Sequence, residues 1–230
     1  SWFSHITEGG PAAMSDEFAW MDASVLAERI DSGELGAHEV IEAALAQIGA
    51  MNSQLNAVAV TDSFMESGQQ QGRLGGVPML IDDLTQTVGM PCSHGSRLWE
   101  GNIPIRDDYL VMRFRHAGAA IVVKSNVSEL AIALTTEPQY LGACTNPWDT
   151  TRSPGGAAAA VASGMVPLAQ ATDSLGGLGI NAASCGLVGL KPTRARTPLG
   201  PDDLAEWPGL TAAHMVTRSV RDTALCLDCA

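Results

Sequence analysis

Three short, almost uninterrupted apolar runs restrict the fold of this chain more than any other feature of its sequence. They are Val77–Ile81, Ala119–Lys124 and Val166–Ala171, and each is too short to be a buried helix. Gly76 precedes the first run and Asp82-Asp83 follows it, so turn residues bound it on both sides. Continuous apolar runs of this length are typical of strands that are buried on both faces, as in parallel sheets.

Helical patterns alternate with these runs. Between the first two, a helix capped by Asp107 is predicted to end before Gly118. The alanine-rich segment Ala157–Ser163 predicts a second helix, which lies before the third run. The alternation predicts an α/β fold, with a mixed, mostly parallel sheet flanked by helices on both faces and with the three runs adjacent in it.

Further elements are predicted at both ends of the chain. Apolar spacing predicts a helix between Asp22 and Gly33, with Ser24 as its cap, and another helix over 40–48. The segment Leu55–Thr61 is predicted to be a strand, and the polar stretch Glu66–Arg73 a linker or frayed helix end.

The second half adds two helices to this prediction. A short helix is predicted near Val127–Leu134. Ser219 and Asp222 form a capping-box pattern before a final helix.

Charge and composition exclude several classes of function. The chain has 230 residues and a formal net charge of −12, so nucleic acids and anionic membrane surfaces are not expected as partners. Apolar residues make up 46% and charged residues 17%, which excludes global disorder. No apolar run is long enough to span a membrane. We expect residues 1–13 to be a tag or upstream segment, and residues 14–230 to form a single domain.

The cysteine count favours a reducing compartment. Five cysteines are an odd number, and a chain of this length can fold without disulfides. We therefore expect a cytoplasmic protein. The pair Cys226 and Cys229 lies within a predicted helix and has no second pair, which favours core packing over a metal or redox role.

Five segments in fixed order resemble the signature of one enzyme family. They are Ser153–Thr193 (SPGGAAAAVASG and TDSLGGLGINAASCGLVGLKPT), Gly76–Leu84 (GVPMLIDDL), Gly118–Glu129 (GAAIVVKSNVSE), Asn146–Asp149 (NPWD) and His214–Asp228 (HMVTRSVRDTALCLD). The chain resembles the amidase signature family over about residues 20 to 230. The resemblance implies that family's α/β fold, here in partial form because the family pattern is longer than this chain.

The resemblance also implies a catalytic relay of a lysine, a serine in a cis peptide and a nucleophilic serine. In such a relay the hydroxyl attacks the amide carbonyl, and the neutral lysine is the base. The lysine position falls on Asp82, and the cis-serine position falls on Ala157, where the family's S-S-G-G block is either missing or replaced by alanines. Counting between Asp173 and Cys185 places the nucleophile at Gly177. None of these three positions carries the residue type that the relay requires.

Neighbouring positions depart from the family pattern as well. A local shift would place Leu178 at the nucleophile position, and the family's arginine and proline correspond to Gly179 and Asn181. Ser174 and Ser184 lie near the expected site, but a turn serine and a packing serine are the favoured interpretations.

The turn before the expected nucleophile could still act as an oxyanion or substrate-binding turn through its N–H groups. Its residues are Ser174, Leu175, Gly176 and Gly177. His94 lies in a loop that borders the active site in the family, and it is either a ligand contact or a loop residue. Asp83 matches an aspartate of the family pattern to which a structural role is usually assigned. We expect no cofactor and no metal.

Two functions follow from these observations. The first is a catalytically silent family member that acts as a scaffold, binding or partner subunit, with a small amide-like ligand. The alternative is an amidase that hydrolyses the C–N bond of a small or cyclic carboxamide. Because the family pattern continues beyond the last helix, we also expect a homo-oligomer or a chain that completes the core.

Overall fold

The computed structural model describes residues 18–59, 71–201 and 209–230. The expectation for residues 1–13 lies outside these residues, as do the last two positions of the predicted strand Leu55–Thr61 and most of the stretch Glu66–Arg73.

A five-stranded mixed sheet forms the centre of the structure. Its strands are β1 Pro78–Asp82, β2 Ala120–Ser125, β3 Leu168–Asp173, β4 Val188–Gly189 and β5 Ala212–Thr217. Their spatial order is β2-β1-β3-β5-β4. β1 is parallel to both β2 and β3, and β5 is antiparallel to β3 and β4. The three apolar runs are therefore adjacent in one sheet, as predicted.

Helices cover both faces of this sheet. They are α1 Ala23–Asp31, α2 Ala37–Leu55, α3 Tyr109–His116, α4 Gly156–Ala162, α5 Gly177–Ser184 and α6 Val220–Cys229. Met79 and Ile81 of β1 pack in a cluster with apolar residues of α1, α3 and α6, whereas Leu80 packs in another cluster with residues of α2 and α4. Alternate side chains of a strand point to opposite faces, so a continuous apolar run fills both clusters. Within the described parts of the chain, no helix combines the length and apolar character that crossing a bilayer requires.

Two predicted elements are wrong, and left-handed backbone explains both. Helix α2 continues to Leu55 and ends at Asn56, whose φ is 47°; after it, Val58 alone forms a bridge, to Ser125. The segment near Val127–Leu134 contains only a 3-10 turn, Glu129–Ala131. Leu130 has a φ of 52°, which an α-helix does not accommodate.

Two of the predicted caps differ from the structure. Asp108, not Asp107, occupies the N-cap position of α3, because the Asp107 carboxylate accepts a hydrogen bond from the Val88 N–H at 2.7 Å and pairs with Arg115 at 3.0 Å. Likewise, Asp22 and not Ser24 occupies the N-cap position of α1.

The predicted cap of the last helix is present. Ser219 Oγ accepts from the Asp222 N–H at 3.3 Å. The Asp222 carboxylate, however, accepts from the backbone N–H groups of Ala23 and Ser24 at 2.7 and 3.0 Å. It therefore joins α6 to the first turn of α1, where a negative charge is favourable.

His214 in β5 makes stability depend on pH. Its side chain is fully buried, and neither ring nitrogen has a hydrogen-bond partner of normal geometry among the described residues. Burial lowers the pKa of His214 from 6.5 to about 4; the charge of Arg196 adds to the shift, and the Met215 backbone offsets part of it. The folded state thus disfavours the protonated imidazole.

We expect His214 to reduce the free energy of unfolding as pH falls from about 6.5 towards 4. Below 6.5 the unfolded state binds the proton more readily, so the loss approaches about 1.4 kcal/mol per pH unit and totals about 3 kcal/mol. Urea unfolding from pH 7.5 to 4 measures the free energy of unfolding of the chain and of His214→Leu. It should fall more steeply with decreasing pH in the unmodified chain. The control is His38→Leu, since the His38 side chain is 71% exposed. Parallel pH profiles for the chain and His214→Leu would contradict the expectation.

Candidate functional site

A cavity of about 70 Å³ lies where the carboxyl ends of β1, β2 and β3 meet the first turns of α4 and α5. The carboxyl ends of parallel strands are the usual location of a site in this class of sheet. The cavity is lined by Asp82, Ala157 and Gly177, the three positions that the resemblance assigns to the catalytic relay. The structure therefore brings together three residues that are up to 95 positions apart in the sequence.

Donor groups surround the Asp82 carboxylate, which is 2% exposed. Its Oδ1 accepts from the Thr85 N–H at 3.1 Å and the Thr85 hydroxyl at 2.7 Å. Its Oδ2 accepts from the Thr172 N–H at 2.7 Å and from the Gln170 amide at 3.4 Å. The carboxylate thus ties the end of β1 to the following turn and to β3. A lysine in its place would present a cation to these donors.

The other two relay positions lie at the starts of helices. Ala157 is the second residue of α4, and Gly177 is the first residue of α5. A Cβ atom added to Gly177 would meet only Asn181 Nδ2, at 3.9 Å, so the position has room for a side chain. Gly156 has no such room, because its Cβ would lie 2.3 Å from the Ala57 carbonyl oxygen. Neither relay position supplies a hydroxyl.

The predicted oxyanion turn is partly occupied by a neighbouring carboxylate. Asp173 accepts from the Gly176 N–H at 2.8 Å and from the Leu178 N–H at 3.2 Å. The N–H groups of Leu175 and Gly177 have no hydrogen-bond partner among the described residues. Ser174, Leu175 and Gly177 line the cavity. The turn therefore retains two free donors, beside a carboxylate that opposes an anion.

The two candidate substitute serines form hydrogen bonds with other hydroxyl or backbone groups. Ser174 Oγ lies 3.1 Å from Thr211 Oγ1. Ser184 Oγ donates to the Asn181 carbonyl at 2.9 Å, and Ser184 does not line the cavity. Among the described residues, neither hydroxyl is hydrogen-bonded to a lysine or histidine that could serve as its base.

His94 and Asp83 belong to the loop next to the cavity and do not line it. His94 is buried, has a φ of 51° and lies with Nε2 3.7 Å from Cys92 Sγ. Asp83 accepts from the Ser93 N–H at 3.1 Å and from the Gly95 N–H at 3.2 Å. Asp83 thus anchors this loop, which is a structural role.

All five cysteines are free thiols. Cys226 packs in the core with residues of α1 and α3, which agrees with the predicted packing role. Burial raises the pKa of Cys226 and Cys229, and raises the pKa of Cys144 to about 12. These thiols are therefore poor nucleophiles at neutral pH.

Two polar residues of the cavity, Ser125 and Asn126, were not predicted from the sequence. They directly follow the second apolar run, and both are buried and line the cavity. Ser125 Oγ and Asn126 Oδ1 have no hydrogen-bond partner among the described residues. The available signal was their position, because polar residues at the carboxyl end of a buried strand face a site in parallel sheets.

The mixed sheet flanked by helices, with a cavity at its strand ends, defines the chain as an α/β protein. The family model described as Amidase matches residues 39–230. The putative amidase AmiC of Mycobacterium tuberculosis is 37% identical over 223 residues, which cover 93% of this chain and 47% of that protein. One subunit of the glutamyl-tRNA(Gln) amidotransferase of Rhodopirellula baltica is 40% identical over 190 residues, or 76% of this chain and 38% of that protein.

A third relative is similar in both sequence and structure. The 6-aminohexanoate-cyclic-dimer hydrolase of Paenarthrobacter ureafaciens is 38% identical over 228 residues, which cover 94% of this chain and 46% of that protein. A solved structure of 6-aminohexanoate cyclic dimer hydrolase superposes with a TM-score of 0.81 at 33% identity, over 92% of this chain and 46% of that one. The chain therefore belongs to the amidase family. It spans about half the length of the curated relatives it matches.

Proposed function

We propose that this chain is a catalytically silent member of the amidase family that binds a small ligand or supports a partner. One observation carries the proposal. At the relay positions, the cavity holds a carboxylate with four donor contacts at Asp82 and no hydroxyl at Ala157 or Gly177. Amide hydrolysis by the family relay requires a base and a nucleophile, and neither residue type occupies its position.

The alternative is an amidase that acts on a small or cyclic carboxamide, and the relatives' names favour it. Such an enzyme would need another nucleophile with a base beside it. Ser125, Ser128 and Ser174 line the cavity, yet the described lining residues include no lysine or histidine. We therefore prefer the silent function.

Covalent labelling distinguishes the two functions. A serine-directed fluorophosphonate reacts with an activated hydroxyl, so mass spectrometry of the treated chain should show no stoichiometric adduct. An active family amidase treated in parallel is the positive control. A stoichiometric adduct on Ser125, Ser174 or any other serine would overturn the proposal.

We further propose that apolar surface of this chain is covered by a second copy or by a chain that completes the core. Several large apolar side chains are exposed, among them Leu98 at 82%, Ile105 at 95% and Ile132 at 61%. A similar protein is named as one subunit of an amidotransferase, which fits a role in an assembly.

The chain alone should therefore self-associate or bind an apolar dye strongly. Obligate interfaces typically bury more than about 2,000 Å² in total, so a chain without its partner leaves a large apolar surface open. Light scattering with dye fluorescence measures both properties. A monodisperse monomer of 23.9 kDa with little dye binding would contradict this expectation.

We propose that the chain functions in a reducing compartment such as the cytoplasm. The support is that all five cysteines are free and four of them are buried. A chain with this many unpaired thiols is best suited to a compartment that keeps thiols reduced.

A further inference from the structure

We propose that the cavity at the strand ends binds a small ligand with a primary ammonium group and a short alkyl chain. This inference deepens the proposed function, because it takes the cavity as a binding site and names the chemistry of its ligand. Three features carry it: two buried acceptors without partners, a single charged wall residue, and apolar lining beside them.

The first feature is the orientation of the Asn126 amide. Its Nδ2 donates to the carbonyl oxygens of Asn56 and Gly142, each at 3.0 Å. Both protons of the amide nitrogen are thereby used, so Oδ1 is fixed as an acceptor. Oδ1 is buried and has no partner among the described residues, and Asn126 lines the cavity. Oδ1 is therefore an acceptor beside the cavity that no donor of the described residues satisfies.

The second feature is the Ser125 hydroxyl. Ser125 is fully buried and lines the cavity, and its Oγ has no hydrogen-bond partner in the described part of the chain. A buried polar atom without a partner costs about 1–3 kcal/mol, which a suitable ligand group would recover. Rotation of this side chain towards the cavity breaks no hydrogen bond. A ligand with several N–H donors can therefore engage Ser125 without disturbing the backbone.

The third feature is the charge of the cavity wall. Asp82 is the one charged side chain among the described residues that line the cavity. Lys124 is buried nearby, but its Nζ donates to the Thr85 carbonyl and to Thr87 Oγ1, and it does not line the cavity. A cation therefore gains from the Asp82 carboxylate, whereas an anion is repelled by it and by Asp173.

The size and remaining lining of the cavity restrict the rest of the ligand. A water needs about 10–15 Å³ of comparable volume, so 70 Å³ encloses roughly five to seven non-hydrogen atoms of a ligand. Leu84, Val127, Leu134 and Leu178 provide apolar contacts for a short alkyl chain. A propylammonium ion combines the required donors, charge and size.

Three ligands of the same chain length test the role of charge: n-propylammonium, propionamide and propionate. Titration of the isotope-labelled chain, followed by NMR chemical shifts, gives an apparent Kd for each. We expect saturable shifts with propylammonium, binding at least about tenfold weaker for propionamide, and none for propionate. Absence of saturable shifts with propylammonium, or equal or tighter binding of propionamide or propionate, would overturn the inference.

A pair of serine variants tests the site itself. Ser125→Ala should weaken propylammonium binding about tenfold without lowering the urea midpoint, because the lost hydroxyl has no partner among the described residues. Ser24→Ala is the matched control, since Ser24 Oγ is also buried without such a partner and Ser24 is not in the cavity. Unchanged affinity in Ser125→Ala, or an equal loss in Ser24→Ala, would contradict the assignment.

The same samples separate this inference from the silent function on which it rests. Amide turnover by the chain would refute catalytic silence and leave the ammonium preference to be judged by the three Kd values. Failure of propylammonium to bind, without turnover, would refute only the inference.

Discussion

Amide hydrolysis by this chain should stay at background for a panel of small aryl and alkyl amides. Removing the nucleophile of a hydrolase that works through a catalytic unit typically costs about 10⁶ in rate. Gly177 offers no hydroxyl. At the position where the relay needs a base, the Asp82 carboxylate already accepts hydrogen bonds from the N–H groups of Thr85 and Thr172. The measurement is product formation by purified chain against a buffer blank. Turnover that can be titrated with an active-site reagent would show that the nucleophile has been misplaced.

Repair of single positions should not restore this activity. Gly177→Ser has room for its side chain but still lacks the base and the proton-passing serine. Asp82→Lys still lacks an attacking hydroxyl, and its ammonium would face the N–H groups of Thr85 and Thr172. Only joint repair, with the S-S-G-G block restored before Ala157, is expected to give turnover. Residues that act as one unit show this non-additivity.

Asp82→Ala should destabilise the fold by about 2–4 kcal/mol. The substitution removes the side-chain acceptor of the Thr172 N–H and leaves Thr85 with only its weaker contacts, its N–H to the backbone oxygen of residue 82 and its hydroxyl to Gln170 Oε1, each at 3.3 Å, while a buried donor left unpaired costs about 1–3 kcal/mol. It also removes a link between β1 and β3 at the edge where the site lies. Urea unfolding followed by circular dichroism gives the change in the free energy of unfolding.

Asp228→Ala is the matched control for this prediction. The Asp228 carboxylate is 60% exposed and pairs with Arg73 at the surface, so its removal should leave the urea midpoint nearly unchanged. Equal midpoints for Asp82→Ala and the unmodified chain would mean that the four donor contacts of Asp82 do not stabilise the fold.

Local sequence patterns predicted β1, β2 and β3 but not β4 or β5, and they misassigned the segments Leu55–Thr61 and Val127–Leu134. β1 and β2 are buried along their whole length, and β3 along most of its length. Such strands can be predicted because a short run of apolar residues is visible directly in the sequence. The strand expected at Leu55–Thr61 failed because a left-handed Asn56 ends a longer helix there. That backbone state is stabilised by distant contacts, since Asn56 Nδ2 donates to the Leu141 carbonyl at 2.9 Å.

The order and spacing of the motifs that carry the family resemblance can be read without the fold, and they are the basis on which Asp82, Ala157 and Gly177 are assigned to the relay positions. Only the tertiary structure decided what surrounds these three residues. It places them in one cavity, where the N–H groups of Thr85 and Thr172 donate to Asp82. It also leaves the Ser125 hydroxyl without a partner among the described residues. The physical reason is that hydrogen bonds and buried charges depend on distances between residues far apart in the chain, which spacing along the sequence does not specify.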